Sequence, residues 1–317
     1  FPYTTLFRSS AGFLDELRSA TDGLIDQIAD DESQRQRTTG SMIPVVQDCQ
    51  MAKLIAHTGA MNALMQMGLT NTLFQSGYII SKPPNSPRLF WHSDWGFWNH
   101  PSSYKKSPLQ IFLMYYLTDT RPENGCLRVI PGSHINENPL HALLSPAHAT
   151  AQREGQNFDL PEFQTRPDEA DVKVKAGDLL VGDARLLHAS HANNSDEQRT
   201  LITLWYHPNF NDIPEELQAA FAARVDALPP EWPKDARDLY SPLLIRYDGQ
   251  AKPFPFNRQQ RPVPIPDEGS AIVARLALFL HPIGLCCRRW LEVGVHPAVH
   301  EFSRLVLYRV PPAVHVK

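Results

Sequence analysis

The chain has 317 residues, 42% of them hydrophobic, with 30 basic and 34 acidic side chains and a formal net charge of -4. This length and composition allow one large core with a modest extension. The two signs of charge are interspersed, so the sequence indicates neither a nucleic-acid groove nor a polybasic membrane patch. No apolar run reaches the roughly 20 residues that cross a bilayer. We therefore expect a small-molecule partner, with neither nucleic acid nor membrane, and the oligomeric state stays open.

The four cysteines, at positions 49, 126, 286 and 287, form neither a disulfide framework nor a Cys-x-x-Cys motif. They indicate free thiols in a reducing compartment, so we expect a cytoplasmic protein. Residues 1–9 lack a starting Met and a secretory core, and they resemble a translated sequencing adapter. We expect them to lie outside the fold, with one domain over 10–265 and an extension of uncertain structure over 266–317.

The first part of the chain has helical periodicity. Apolar residues recur at a spacing near 3.6 from Ser10 to about Ser33, and a second helical stretch runs from about Val46 to Met67. Both stretches predict amphipathic helices that pack on a larger element.

After Gly68 the chain becomes rich in β-branched and aromatic residues, separated by Pro, Gly and Asn. Short strands are predicted at Thr72 to Ser81, Leu89 to His92, Leu109 to Leu117, Cys126 to Ile130, Val172 to Val174, Leu179 to Val181 and Thr200 to Tyr206. This pattern predicts a mainly β jelly roll with flanking helices and a core at about 72–208. The stretch from His134 to Asp171 is expected to be an insertion over one mouth of the barrel, and a further helix is predicted from Pro214 to Ala227.

The candidate metal-binding motif contains His92 and Asp94, which lie two residues apart at a predicted strand end. Side chains two apart on a strand share a face. With a third ligand from a distant strand, they would form the two-His-one-carboxylate facial triad, which leaves adjacent positions on Fe(II) open. A His-x-Asp pair alone is a weak signal, because such pairs occur by chance in many chains and are more often surface or hydrogen-bonding pairs.

A second segment supplies the context. A Gly177-Asp178 turn leads into an apolar strand, then to His188, and Arg199 follows eleven residues later. An arginine at the start of the next strand can pair bidentately with a carboxylate inside the barrel. Taken separately, His188 could be a hydrogen-bonded core histidine and Arg199 a rim ion pair. Together with the first pair, they predict a metal site beside a carboxylate site.

Some nearby side chains have competing interpretations. His191 is the rival third ligand, but it lies three residues after His188 and so faces the opposite way on a continuous strand. We favour His188. His134 is expected to be structural, at a turn that ends a strand. The aromatic residues around the metal motif either line the substrate pocket or belong to the core: Trp91, Trp95, Phe97 and Trp98.

Over roughly Phe74 to Pro208 the sequence resembles the phytanoyl-CoA dioxygenase family of Fe(II)- and 2-oxoglutarate-dependent oxygenases. The resemblance rests on His92-Ser93-Asp94, on the stretch from Asn124 to His134, on Gly177-Asp178, and on Leu187-His188-Ala189-Ser190 through Arg199. It implies a double-stranded β-helix of the cupin-like jelly-roll type, with iron held by His92, Asp94 and His188. It also assigns Arg199 and Ser190 to 2-oxoglutarate. Met114 stands where some members carry a tryptophan beside the cosubstrate.

The resemblance further implies that 2-oxoglutarate and O2 are cosubstrates, and that a small organic substrate is hydroxylated with release of succinate and CO2. Related halogenating enzymes have a small residue in place of Asp94, so its presence favours hydroxylation. Residues 10–265 would then be a single oxygenase domain. Two alternatives are a non-catalytic ligand-binding β-barrel and a cupin-type metalloenzyme without 2-oxoglutarate. Arg199 argues against the second, which would need no cation at that position.

Overall fold

The computed structural model describes residues 9–262, together with the backbone of two short strands, β1 (Thr4–Leu6) and β11 (Tyr308–Val310). These two strands pair in parallel. The rest of the predicted extension, with its two adjacent cysteines, lies outside the described residues. No helix in the described part of the chain is long and apolar enough to cross a membrane.

The helices cluster before and after the sheets. They are α1 (Ala11–Ile25), α2 (Asp30–Arg35), α3 (Met51–Ile55), α4 (Thr58–Gln66), α5 (Thr150–Glu154), α6 (Glu215–Ala222) and α7 (Lys234–Tyr240). Each of the two N-terminal helical predictions corresponds to two helices. The second breaks at His57, whose side chain accepts a hydrogen bond from Ala60 N and so begins α4 as its N-cap.

Two antiparallel sheets form the centre of the fold. The larger has the order β2-β3-β10-β5-β8 and the smaller β4-β9-β6-β7. Their strands are β2 (Ile43–Pro44), β3 (Leu73–Lys82), β4 (Leu89–His92), β5 (Ile111–Tyr116), β6 (Leu127–Val129), β7 (Ala170–Val172), β8 (Leu179–Asp183), β9 (His188–Ser190) and β10 (Arg199–His207). This double-stranded β-helix confirms the predicted fold class. The two-residue β2 and the three-residue β9 were not predicted, and β7 begins two residues before its predicted position.

The larger sheet is buried on both faces. Along β5, Leu113 and Tyr115 belong to the cluster that also contains Leu17 and Leu64 from the helices. The alternate residues Phe112, Met114 and Tyr116 belong to the cluster inside the barrel: Phe112, Met114, Tyr116, Leu127, Val129, Val172, Leu180, Leu186 and Leu201. The helices therefore cover the outer face, while the inner face of the sheet borders the cavity described below.

A buried neutral histidine predicts acid sensitivity. Burial lowers the pKa of His141 to about 4. This residue binds a proton more readily when unfolded, so its contribution is constant above pH 6.5 and stability is lost as the pH falls below it. We expect it to reduce the free energy of unfolding by about 2 kcal/mol at pH 5. Urea denaturation at pH 7.5 and pH 5 measures this, and equal midpoints would contradict it.

Candidate active site

His92 and His188 face each other across the β4–β9 pair. The register places the two residues directly opposite, with ring centroids 4.3 Å apart. Nδ1 of His92 lies 3.0 Å from the carbonyl oxygen of Phe90, and Nδ1 of His188 lies 3.0 Å from that of Leu186. A carbonyl accepts only from an N–H, so Nδ1 carries the hydrogen in the neutral form of each ring, and Nε2 is then the atom available to a metal. Metal-binding histidines are commonly anchored in this way.

Asp94 completes the group from the loop after β4. Its backbone N donates to Ala184 O, in the turn between β8 and β9, at 2.9 Å. Its Oδ1 lies 3.6 Å from Nε2 of His92, and its Oδ2 lies 3.9 Å from Nε2 of His188. The indole Nε1 of Trp205 donates to Oδ2 at 2.9 Å. Two imidazole nitrogens and one carboxylate therefore converge on a common point.

The charge states of this group suit a divalent cation. Burial raises the pKa of Asp94, but the combined opposite effect of His188, His92 and the Trp205 indole is larger. The pKa of Asp94 therefore lies well below its ordinary value. Burial, reinforced by the neighbouring His92, lowers the pKa of His188 to about 4. A carboxylate and a neutral imidazole are the forms that bind a metal.

Trp205 was not identified from the sequence, although it lies within the predicted last strand. Replacing it with Phe keeps an aromatic ring but removes the hydrogen bond to Asp94. Losing such a supporting partner typically weakens metal binding by about 10- to 100-fold, and we expect Trp205→Phe to weaken Fe(II) affinity in this range. Tyr78→Phe, which keeps the ring that contacts Trp205, is the control in an equilibrium iron titration. Equal affinities would contradict the supporting role.

His148, from the insertion, is a third histidine at the site. One ligand atom from each of His148, His92 and Asp94 lies within 4.8 Å of the others. Sequence reasoning missed it because the insertion has no periodic pattern from which side-chain direction could be inferred. The one available signal was a histidine inside a segment expected to lie over the barrel mouth. His191, by contrast, is half-buried, and its Nε2 lies 2.6 Å from Asp171 Oδ1.

A cavity of about 620 Å³ joins this group to Ser190 and Arg199, and Met114 also lines it. Arg199 is 3% exposed. Within residues 9–262, no carboxylate forms an ion pair with it, and its Nε has no hydrogen-bond partner. Burial lowers the pKa of this guanidinium, which still remains protonated. An unpaired buried cation is costly, so the cavity suits an anionic ligand.

Lys82, the register partner of Arg199 on β3, is also buried, and its burial, reinforced by the neighbouring Arg199, lowers its pKa well below the ordinary value. Its Nζ donates to Thr38 O at 2.9 Å and to Pro87 O at 2.6 Å, and lies 3.3 Å from Ser190 Oγ. The two backbone carbonyls therefore satisfy the Lys82 Nζ, whereas Arg199 lacks an ion-pair partner among the described residues.

The remaining aromatic positions divide between core and pocket. Phe97 lines the cavity, while Trp95 and Trp98 are packed with it in a core cluster and Trp91 belongs to another. His134 is buried at the turn after β6 and does not line the cavity.

Comparison with known proteins identifies the family. The sequence model of the family "Phytanoyl-CoA dioxygenase (PhyH)" matches residues 11–201. An ectoine dioxygenase of Nocardia farcinica is 29% identical over 141 residues, which cover 43% of this chain and 46% of that protein. Phytanoyl-CoA dioxygenase 1 of Oryza sativa subsp. japonica is 30% identical over 132 residues, covering 42% and 43%.

The match therefore spans less than half the length of these two relatives. Among solved structures, EctD from S. alaskensis with 2-oxoglutarate and 5-hydroxyectoine aligns with 20% identity and a TM-score of 0.45 over 65% of this chain and 71% of that chain. The family match begins upstream of the predicted resemblance and includes the N-terminal helices. The chain belongs to the phytanoyl-CoA dioxygenase family.

Proposed function

We propose that the protein is an Fe(II)- and 2-oxoglutarate-dependent dioxygenase that hydroxylates a small organic substrate. The observation that carries the proposal is the buried Arg199, which has no ion-pair partner among residues 9–262 and lies in the same cavity as the two histidines and Asp94. A barrel that only binds a metal has no need of this cation. A non-catalytic binding barrel has no need of the convergent metal-ligand set.

In this proposal, His92, Asp94 and His188 hold the iron. The donor set fits, because both imidazoles are anchored through Nδ1 and the carboxylate lies between their Nε2 atoms. When bound, iron with 2-oxoglutarate and O2 supplies an oxidant strong enough for an unactivated C–H bond, with succinate and CO2 as by-products. The chain provides a facial ligand set that leaves adjacent positions free.

Arg199 and Ser190 hold the far carboxylate of 2-oxoglutarate. The planar guanidinium can donate two parallel hydrogen bonds to it. Lys82 orients the Ser190 hydroxyl through a hydrogen bond from its Nζ to Ser190 Oγ, 3.3 Å long. Leu127 and Leu201 make the cavity wall apolar near Arg199. The ion pair between Arg199 and the far carboxylate would therefore form in a water-poor environment, where it is strong.

Asp94 favours hydroxylation, since its carboxylate fills the position that a halide would need. The names of the relatives, ectoine, phytanoyl-CoA and hypophosphite dioxygenases, refer to different small molecules, so we propose no particular one. The free Cys49 and Cys126 support a reducing, cytoplasmic location for the protein.

Succinate formation from 2-oxoglutarate in the presence of Fe(II) tests this function. We expect slow substrate-free turnover in the wild type, stimulation by the correct substrate from a panel of small acids, amino acids and natural-product scaffolds, and no turnover with a chelator. A protein that binds Fe(II) but neither binds nor consumes 2-oxoglutarate would instead be the cupin-type metalloenzyme. A protein that binds neither would be a non-catalytic barrel.

A further inference from the structure

His148 has a backbone conformation that residues other than glycine seldom adopt. Its φ is 63°, in the left-handed region. Hydrogen bonds fix the backbone on both sides of it. Ala147 N donates to Arg258 O at 2.9 Å, and Ala149 N donates to Gln152 Oε1 at 3.1 Å. Strained conformations that neighbours hold in place cluster at functional positions. The insertion therefore holds this residue in a specific orientation.

The imidazole of His148 lies against the metal group. Its ring centroid is 4.8 Å from that of His92 and 5.2 Å from that of Phe90, with both rings edge-on. Adjacent nitrogen or oxygen ligands of one ion, each about 2.1 Å from it, lie roughly 3 Å apart. Since its ligand atom is within 4.8 Å of those of His92 and Asp94, a small movement brings His148 into the coordination sphere.

One feature separates His148 from His92 and His188. Each of those rings is fixed by a hydrogen bond from Nδ1 to a carbonyl, whereas His148 makes no hydrogen bond to any residue in the range 9–262. Permanent histidine ligands are almost always anchored by such a second partner. His148 is therefore suited to bind a metal and to leave it again.

We propose that His148 is an exchangeable fourth protein ligand, which occupies the position that O2 requires until substrate displaces it from the cavity. The inference rests on the proposed function. The facial triad leaves three positions, of which chelating 2-oxoglutarate takes two. His148 takes the last. Because it lines the same cavity as Asp94 and Phe97, a bound substrate competes with it for space, and the iron meets O2 only when substrate is present.

Two variants test the proposal. His148→Asn keeps a residue that tolerates the left-handed conformation but is too short to reach the metal, and His148→Gly removes both strain and imidazole. His134→Asn is the matched control, from the same insertion but away from the cavity. With Cu(II) alone as the probe, pulsed electron paramagnetic resonance should count three imidazoles in the wild type and control, and two in both variants.

Nitric oxide, as an O2 surrogate, reports on the blocked position in the anaerobic Fe(II)–2-oxoglutarate protein. If His148 is bound to the iron in about nine-tenths of the molecules, only about one tenth have the position open to nitric oxide. The variants, in which the position is always open, should then bind nitric oxide about tenfold more tightly than the wild type. The control should match the wild type.

A count of two Cu(II)-bound imidazoles in the wild type would overturn the proposal. Equal nitric oxide affinities of the wild type and the His148 variants would also overturn it, because His148 would then not occupy the position that O2 requires. Failure of the proposed function has a different signature. The wild type would not bind 2-oxoglutarate at Fe(II), while the Cu(II) count would still report whether His148 is a ligand.

Discussion

Replacing His188 with alanine is expected to abolish both tight Fe(II) binding and succinate formation. His188 lies opposite His92 in the β4–β9 register and is anchored through Leu186 O, so its loss removes a fixed nitrogen that no other anchored side chain in the described part of the chain replaces. Supporting partners alone contribute 10- to 100-fold, so we expect the loss of a direct ligand to lower activity by at least about 100-fold. Equilibrium iron titration and the succinate assay measure the two effects.

His191→Ala is the matched control for this substitution. His191 is paired with Asp171 and does not line the cavity, so we expect iron affinity and activity close to those of the wild type. If His191→Ala abolished iron binding while His188→Ala spared it, the proposed ligand set would be wrong. If only the His148 variants lost iron, the third permanent ligand would be His148 in place of His188.

Arg199→Gln should raise the Michaelis constant for 2-oxoglutarate with little effect on Fe(II) affinity. The variant loses the charge that faces the far carboxylate in a buried site. Truncating one partner of such a pair costs about 2–5 kcal/mol, which corresponds to roughly 30-fold or more in the Michaelis constant at 1.4 kcal/mol per tenfold. Initial rates of succinate formation across 2-oxoglutarate concentrations measure the effect.

Two companion variants interpret this result. Arg199→Lys keeps the charge but loses the planar two-pronged contact, so its Michaelis constant should be intermediate. Arg121→Gln removes an exposed arginine that pairs with Glu197 at the surface and should behave like the wild type. An unchanged Michaelis constant in Arg199→Gln would show that the cosubstrate carboxylate binds elsewhere.

Most of the strands were predictable because their signals are local. His92 and Asp94 were paired by the rule that residues two apart on a strand share a face, but β4 ends at His92 and Asp94 lies in the loop after it. The sequence did not predict how the strand from Leu179 to Val181 connects to His188. β8 ends at Asp183, and a turn held by Arg185, which donates to Asp183 and to Ser103 O, carries the chain to β9 on the other sheet. His188 and Ser190 nevertheless both line the cavity.

Two features that the sequence did not predict, the roles of Trp205 and His148, depend on contacts between residues that are distant in the chain. Trp205 reaches Asp94 across 111 positions, and no local pattern marks it among the apolar residues of β10. His148 depends on how the insertion folds back, through Ala147 and the distant Arg258. The helix break at His57 depends on a histidine serving as an N-cap, a role that sequence rules assign to Ser, Thr, Asp and Asn.

We expect one cavity to hold both iron and 2-oxoglutarate. An anaerobic titration of the Fe(II) protein with 2-oxoglutarate, followed by visible absorption, tests it most directly because chelation of the metal by a 2-oxo acid produces a charge-transfer band. We predict a saturable band in the wild type, no band in His188→Ala, and a band that requires at least about 30-fold more 2-oxoglutarate in Arg199→Gln. A wild-type protein that binds Fe(II) but develops no band would contradict the account.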